Sequence, residues 1–158
     1  MGWNPVRGRR GGVPSSGMPV ILTSPDGVTW TQRSAPGSKT LEDVAWSGTR
    51  FVAVGSNTIL TSSDAVAWDA QKTPVDGQLI AATWGGSQFV AVGRTQDPSA
   101  QMVTIPLILT SPDGIIWSRK APPTDGSLWE VVWDGTNFVA IGQIRSRSFY
   151  DALIITSP

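Results

Sequence analysis

Residues 21–30, ILTSPDGVTW, decide how this chain folds, because the stretch is repeated along the sequence. It returns as ILTSSDAVAW at 59–68 and as ILTSPDGIIW at 108–117, and a further copy begins as IITSP at 154–158. Each full copy contains a short apolar segment, a tight turn and a second segment that carries a Trp. This order is typical of a β-hairpin, so the sequence predicts a hairpin that a repeat architecture reuses.

A second kind of hairpin lies between the copies. Residues 41–46, LEDVAW, and the apolar segment 51–55 are joined by the polar turn 47–50, and the pattern returns as LIAATWGGSQFVAVG at 79–93 and LWEVVWDGTNFVAIG at 128–142. The tryptophans and the last glycine of the unit recur after 38 residues and again after 49. A four-stranded unit of about 40–50 residues therefore repeats along the chain.

The apolar residues of these segments are consecutive rather than alternating. The segment FVAVG at 51–55 has no polar face, which indicates a sheet that is covered on both sides. A four-stranded sheet cannot cover itself, whereas radial stacking of such sheets, as in a β-propeller, buries both faces. We therefore expect an all-β fold, a β-propeller of four-stranded antiparallel blades over residues 19–158, with about three blades per chain. Residues 1–18 are expected to form a tail or a degenerate strand. We expect the two tryptophans of each repeat to contribute to blade stacking.

The turn of the first hairpin carries a family resemblance. Its pattern Ser-x-Asp-Gly-x-x-Trp resembles the Asp-box, or BNR, repeat of sialidase-superfamily propellers, and the resemblance covers about 140 of the 158 residues. In that family the Asp binds backbone N–H groups of its own turn and the Trp packs against the blade, away from the ligand. The resemblance thus implies structural roles for Ser24, Asp26, Trp30, Ser62, Asp64, Trp68, Ser111, Asp113 and Trp117.

Two features depart from the Asp-box pattern. The spacing between Asp and Trp is one residue shorter than in its commonest form. In the second copy, Ala65 replaces the turn glycine. Because alanine tolerates a positive φ poorly, we expect Ala65 either to strain this turn or to change its type.

Composition argues against several kinds of function. The chain has 12 basic and 12 acidic side chains, so no global field attracts it to nucleic acid or an anionic membrane, and we expect neither partner. Cys and His are absent, which removes thiol chemistry, the commonest general base and the commonest metal ligand; we expect no metal and no cofactor. No segment has the apolar core of a signal peptide or the ~18 apolar residues of a membrane span. The compartment stays undetermined.

Sialidase chemistry is not expected to accompany the resemblance. The enzymes of that superfamily need three Arg around the substrate carboxylate, a Tyr paired with a Glu, and an acidic proton donor. Tyr150 is the only Tyr of this chain, Glu42 and Glu130 are the only Glu, and the Arg residues do not recur at one position of the repeat. We therefore expect that the protein is not an enzyme.

A binding surface is expected where the repeats differ. With the strands of a blade lettered A to D from the LEDVAW strand outward, the A–B and C–D turns lie on one face and the B–C and D–A loops on the other. The turns are nearly uniform, whereas the B–C connections are Ser56-Asn57-Thr58, Arg94–Leu107 and Gln143–Leu153. Long, dissimilar loops over a uniform scaffold are typical of a recognition face. Its candidate ligand-binding residues are Arg94, Gln96, Asp97, Arg145, Arg147, Phe149 and Tyr150.

One inner strand differs from its sister strands. Trp129 stands where they have Glu42 and Ile80, and its neighbour Glu130 aligns with Asp43 and Ala81. We expect Trp129 to add blade packing, with a central channel as the alternative location for this pair.

Three blades are fewer than the 4–8 of closed propellers. Two chains placed head to tail would close a six-bladed ring, so a homodimer is the expected assembly, although the extra strand at 152–157 duplicates one that the partner supplies. A fragment of a longer propeller is the alternative. We expect a non-catalytic module that binds a protein or a glycan. The alternatives are a degenerate sialidase-like glycoside hydrolase, a glycan-binding lectin, and a truncated fragment without activity.

Overall fold

The computed structural model describes residues 19–37, 39–97, 99, 103–145 and 150–157, and these residues form 13 strands and no helix. The strands are β1 (Ile21–Thr23), β2 (Thr31–Arg33), β3 (Leu41–Trp46), β4 (Phe51–Gly55), β5 (Thr58–Ser62), β6 (Asp69–Gln71), β7 (Gln78–Trp84), β8 (Phe89–Gln96), β9 (Thr104–Ser111), β10 (Ser118–Lys120), β11 (Ser127–Trp133), β12 (Phe138–Arg145) and β13 (Tyr150–Thr156). Within this part of the chain, no helix is long and apolar enough to cross a membrane.

The strands form four antiparallel sheets in which each strand pairs with the next one in the sequence. The sheets are β1–β2, β3–β6, β7–β10 and β11–β13. Two of them have the four antiparallel strands of a propeller blade, and the sheets stack face to face in the order β3–β6, β7–β10, β11–β13. The predicted all-β fold of four-stranded antiparallel blades is confirmed.

Both faces of the second strand are covered where sheets stack. Every residue of β8 from Phe89 to Gly93 is buried. Phe89 and Ala91 pack in a core with Val52 and Val54 of the preceding sheet. Val90 and Val92 pack in a second core with the following sheet. The consecutive apolar residues of this strand therefore serve two sheet interfaces at once.

A glycine ends this apolar run in each repeat, and it allows a very close backbone approach. In the three larger sheets the first strand contains a β-bulge, which shifts the register between Leu41 and Asp43 in β3 and at the matching positions of β7 and β11. Opposite the bulge, a Cβ on Gly55, Gly93 or Gly142 would lie 1.9 Å from the carbonyl oxygen of Thr40, Gln78 or Ser127. No side chain fits there, so glycine at this position sets the bulge.

The tryptophans pack first within their own sheet. The Trp that ends the first strand lies against the Phe that begins the second, with ring centroids 4.0, 4.6 and 4.5 Å apart in the pairs Trp46–Phe51, Trp84–Phe89 and Trp133–Phe138. Trp117 approaches Phe89 at 6.4 Å and is buried in the core between two sheets. Trp30, in contrast, is mostly exposed, so the tryptophans contribute unequally to blade stacking.

The turns that contain Asp26, Asp64 and Asp113, here called the Asp turns, are held by local hydrogen bonds. In all three, Oδ1 of the Asp accepts the N–H groups of the residues two and three positions later at 2.8–3.0 Å. The hydroxyl of the Ser two positions before the Asp donates to the same carboxylate at 2.9–3.0 Å. Ala65 has φ 59°, close to the 73° of Gly27 and the 77° of Gly114. The second turn therefore keeps its type, and Ala65 carries the strain.

These hydrogen bonds favour the ionised carboxylates. The N–H groups of Thr29 and Val28 and the hydroxyl of Ser24 lower the pKa of Asp26 from 3.8 to about 2. Backbone N–H groups likewise lower the pKa values of Asp64 and Asp113. The same cause lowers the pKa of Asp134 in the turn between β11 and β12.

Two connections predicted as long loops are partly strand. Within Arg94–Leu107, β8 continues to Gln96 and β9 begins at Thr104, so only 97–103 connect them. Within Gln143–Leu153, β12 continues to Arg145 and β13 begins at Tyr150. The predicted boundaries were wrong because backbone pairing extends beyond the apolar run. The extra strand predicted at 152–157 is β13, which pairs with β12 as the third strand of the last sheet.

Replacing Ala65 with glycine should stabilise the fold. A Cβ in the left-handed region costs about 1–2 kcal/mol, and the greater freedom of glycine in the unfolded chain offsets about 0.4–1 kcal/mol of the gain, so we expect roughly 0.5–1 kcal/mol. Urea unfolding measures this difference. The matched control is Gly27→Ala, since a Cβ on Gly27 would meet nothing within 4 Å and tests the backbone alone. Gly27→Ala should lower the free energy of unfolding, because it adds a Cβ at a positive φ, so the two variants should shift stability in opposite directions. A loss of stability in Ala65→Gly, or no loss in Gly27→Ala, would contradict the strain at Ala65.

The free energy of unfolding should fall in acid as the Asp turns titrate. Because the folded pKa values lie below the unfolded ones, the unfolded state takes up protons first as the pH decreases. Stability from these carboxylates is thus fully present above about pH 4 and is lost progressively toward about pH 2. Urea midpoints between pH 2 and pH 6 measure the loss. Asp64→Asn should make the urea midpoint depend less on pH. If the variant shows the same pH dependence as the wild-type protein, the Asp64 carboxylate is not a cause of the acid loss of stability.

Candidate functional site

A polar cleft lies on the face opposite the Asp turns. Its volume is about 690 Å³, and it opens between the sheets β3–β6 and β7–β10. Two connections border it, those between β4 and β5 and between β6 and β7, together with residues of β7, β8, β9 and β10. The lining residues are Asn57, Val75, Asp76, Gly77, Gln78, Arg94, Thr95, Gln96, Thr104 and Arg119.

Asn57 and Gly77 fix one wall of this cleft. Asn57 forms the tight turn between β4 and β5 with φ 46°, a backbone conformation that Asn tolerates better than most residues. Its N–H donates to the carbonyl of Gly77 at 2.8 Å, and its side-chain oxygen accepts the N–H of Gly77. A Cβ on Gly77 would lie 2.6 Å from Leu107 Cδ2 and 2.9 Å from the carbonyl oxygen of Arg94. The connection before β7 therefore packs directly on β8 and β9.

Arg94 is held in place by a neighbouring side chain. Its Nε and Nη2 both donate to Gln78 Oε1, at 3.0 and 2.8 Å. Gln78 Nε2 lies 3.4 Å from Glu42 Oε1, which extends the polar chain to the preceding sheet. The guanidinium is thus oriented on paired strands and remains exposed to solvent. Its other N–H groups are directed away from Gln78 and are available to a ligand.

The cleft also carries one acidic and one further basic side chain. Asp76 is exposed in the connection before β7, and its carbonyl accepts the hydroxyl of buried Thr95 at 2.6 Å. Arg119 is exposed on β10, at the outer edge of the same sheet. Among the described lining residues, Asp76 is the only carboxylate. The described residues hold no group of three His, Cys, Asp or Glu that could bind a metal ion.

The candidate residues predicted from the sequence fall into three groups. Arg94 and Gln96 line the cleft. Asp97 lies in the connection between β8 and β9, where its carboxylate accepts the N–H and the hydroxyl of Ser99 at 2.8 and 2.7 Å. The side chains of Arg145 and Tyr150, and all of Arg147 and Phe149, lie outside the described part of the chain.

Sequence reasoning missed several lining residues. Asn57 was identified as part of a variable connection, but Asp76, Gln78 and Arg119 were not singled out. Their signal was weak, since the loops before β7 and β11 differ in sequence without any unusual residue type. Trp129 is the bulge residue of β11 and is 45% exposed, and its contribution to blade packing stays a prediction.

No protein-family model matches the chain, and no curated protein matches it. Among solved structures, 18 chains are similar to it. One is a GH32 β-fructofuranosidase of Bombyx mori, a mutant in complex with sucrose, at 12% identity and a TM-score of 0.44. The alignment covers 74% of this chain and 33% of that one, so this chain spans about a third of the length of the enzyme. A likeness at this level transfers no activity.

Proposed function

We propose that this chain is a non-catalytic binding module and that its ligand enters the cleft beside β8. The observation that carries this proposal is Arg94, an exposed guanidinium fixed by two hydrogen bonds to Gln78 on paired strands. A charged group held in one orientation loses little side-chain entropy when a ligand binds. Arg94 and loop residues that differ between the repeats line the same cleft, whereas the strands that support them are similar from repeat to repeat.

A glycan with carboxylate groups is the ligand that this chemistry fits best. Two exposed guanidinium groups suit carboxylates, because Arg forms charge-assisted, often bidentate, hydrogen bonds with them. Asn57 and Gln96 add amide groups that suit sugar hydroxyls. A volume of about 690 Å³ lies within the usual range of small-ligand sites, about 300–1,000 Å³.

The residues of the cleft favour binding over glycoside hydrolysis. Most glycosidases use two carboxyl groups about 5–10 Å apart on either side of the scissile bond. The described lining of the cleft offers one carboxylate, Asp76, and no second acid to complete such a pair. A degenerate hydrolase remains the alternative, and release of free sugar from a bound glycan would distinguish it.

Binding to acidic glycans should depend on Arg94. We expect the wild-type protein to retain carboxylate-bearing glycans on an array in preference to neutral ones. Arg94→Ala should raise the dissociation constant, measured by calorimetry on the best glycan, by about 10–100-fold, because a hydrogen bond to a charged group contributes about 1.5–3 kcal/mol.

Arg33→Ala is the matched control for this experiment. Arg33 is held in a similar way, with Nε donating to Thr23 Oγ1 at 2.9 Å, but it lies on β2, outside the cleft. Its loss should leave glycan affinity unchanged. Equal affinity for acidic and neutral glycans, or no effect of Arg94→Ala, would contradict the proposed site. No binding to any glycan would favour a fragment without activity.

A further inference from the structure

One face of the last sheet is apolar and uncovered in the chain as described. Its side chains, here called the end face, are Glu130, Val132, Val139, Ile141 and Ile154 of β11–β13. Val132 is 50% exposed, Ile141 47% and Ile154 69%. Such a contiguous apolar surface on strands marks an interaction site.

The end face repeats a surface that the chain covers elsewhere. Val139 and Ile141 occupy the positions of Val90 and Val92 in β8, which are buried against the next sheet. They also match Val52 and Val54 of β4, which are buried in the other interface between sheets. Two of three copies of this surface therefore pack on a following sheet, and the third copy has no following sheet among the described residues.

The opposite end of the row has the complementary gap. Val44 of β3 is 56% exposed, whereas Ala82 and Val131, at the same position of β7 and β11, are 8% and 2% exposed. A cavity of about 580 Å³ lies beside Val44, between the hairpin β1–β2 and the strands β3 and β4. We call the surface formed by Val44, Phe51 and Ala53 the start face.

The cavity lies where two inner strands of a blade are missing. By its ILTSPDG sequence, β1 corresponds to the third strand of later sheets and β2 to the fourth. In those sheets the first two strands pack on the next sheet, but β1–β2 has no first or second strand among the described residues. At the other end, β11 and β12 are a first and a second strand whose outer face is free.

A hydrogen bond between sheets supports the same match. Asp43 on β3 accepts the N–H of Val44 through Oδ1 at 2.7 Å, and through Oδ2 it accepts the N–H of Ala82 in the next sheet at 2.8 Å. Glu130 stands at the corresponding position of the end face and likewise accepts the N–H of the residue after it, Val131, at 3.1 Å. Glu130 thus places a carboxylate on the end face at the position from which Asp43 reaches the next sheet.

We propose that a second copy of this chain covers both faces, with the end face of each copy packed on the start face of the other. The two copies are related by a two-fold axis and close a ring. Each copy contributes two complete blades and part of each of the two blades that it shares with its partner, so the ring has six blades, within the usual 4–8.

The proposed interface is formed by β11 and β12 of one copy and by β3 and β4 of the other. Both β13 and β1 carry the Ile-x-Thr-Ser-Pro sequence of a third strand, so either can occupy that position in the shared blade. The contacts of Val132, Val139 and Ile141 with Val44 of the partner do not depend on which of the two strands does so. This makes the inner strands the right place for substitutions.

Light scattering on a sizing column tests the ring. The wild-type protein should have twice the 16.8 kDa chain mass. Ile141→Glu on the end face and Val44→Lys on the start face should each raise the dimer dissociation constant by at least about tenfold, because each buries a charge against apolar side chains. Ile116→Glu is the matched control, since Ile116 is 70% exposed in a turn outside both faces and its loss should leave the dimer intact.

Mixing the two interface variants provides the sharper result. In a two-fold ring, the mixture has one unaltered interface and one in which the introduced lysine faces the introduced glutamate, so dimers should return. A wild-type monomer, a ladder of larger species, or a Val44→Lys variant that dimerises normally would each overturn the proposal. Circular dichroism of the separate variants verifies that both remain folded.

Discussion

The apolar second strand of each sheet is the constraint on which the rest of this structure depends. In β8, Val90 and Val92 point to one neighbouring sheet while Phe89 and Ala91 point to the other, so the strand is stable only between two partners. Burial of one such large side chain contributes about 1.5–3 kcal/mol, and exposure of a whole face forfeits several of these contributions. The stacking of sheets, the position of the connections at their edges and the uncovered faces at both ends all follow from this requirement.

The two edges of the stacked sheets have different chemical roles. At one edge, the carboxylates of Asp26, Asp64 and Asp113 are engaged by N–H groups of their own turns, so they hold the hairpins and are occupied by that contact. At the other edge, Arg94 is fixed by Gln78 and keeps donors for solvent or a ligand. The repeated Asp turns and the variable surface around Arg94 thus lie at opposite ends of the strands.

Much of the fold could be predicted from the sequence because its signals are local. The strands β3 and β4 have the predicted bounds, since Trp46 and Phe51 flank a turn and Gly55 ends the apolar run. The extension of β8 and β9 could not be predicted, because pairing of Arg94 with Pro106 depends on the partner strand rather than on side-chain pattern. The strand β10 ends opposite Ile108, so Pro106 has a partner on one side only, where proline is tolerated. The cleft was predicted in part: Arg94 was identified, but Arg119 joins it only because β10 pairs with β9 at the edge of the same sheet.

The pairing of every strand with its immediate successor also has a kinetic consequence. Each hydrogen-bonded contact spans few residues, so the contact order within a sheet is low and little loop entropy is lost when a hairpin closes. A hairpin forms in about 1–10 μs, much faster than a ribosome adds the next residue. Sheets such as β3–β6 can therefore assemble in the order of synthesis, and docking of one completed sheet on another becomes the slow step of folding.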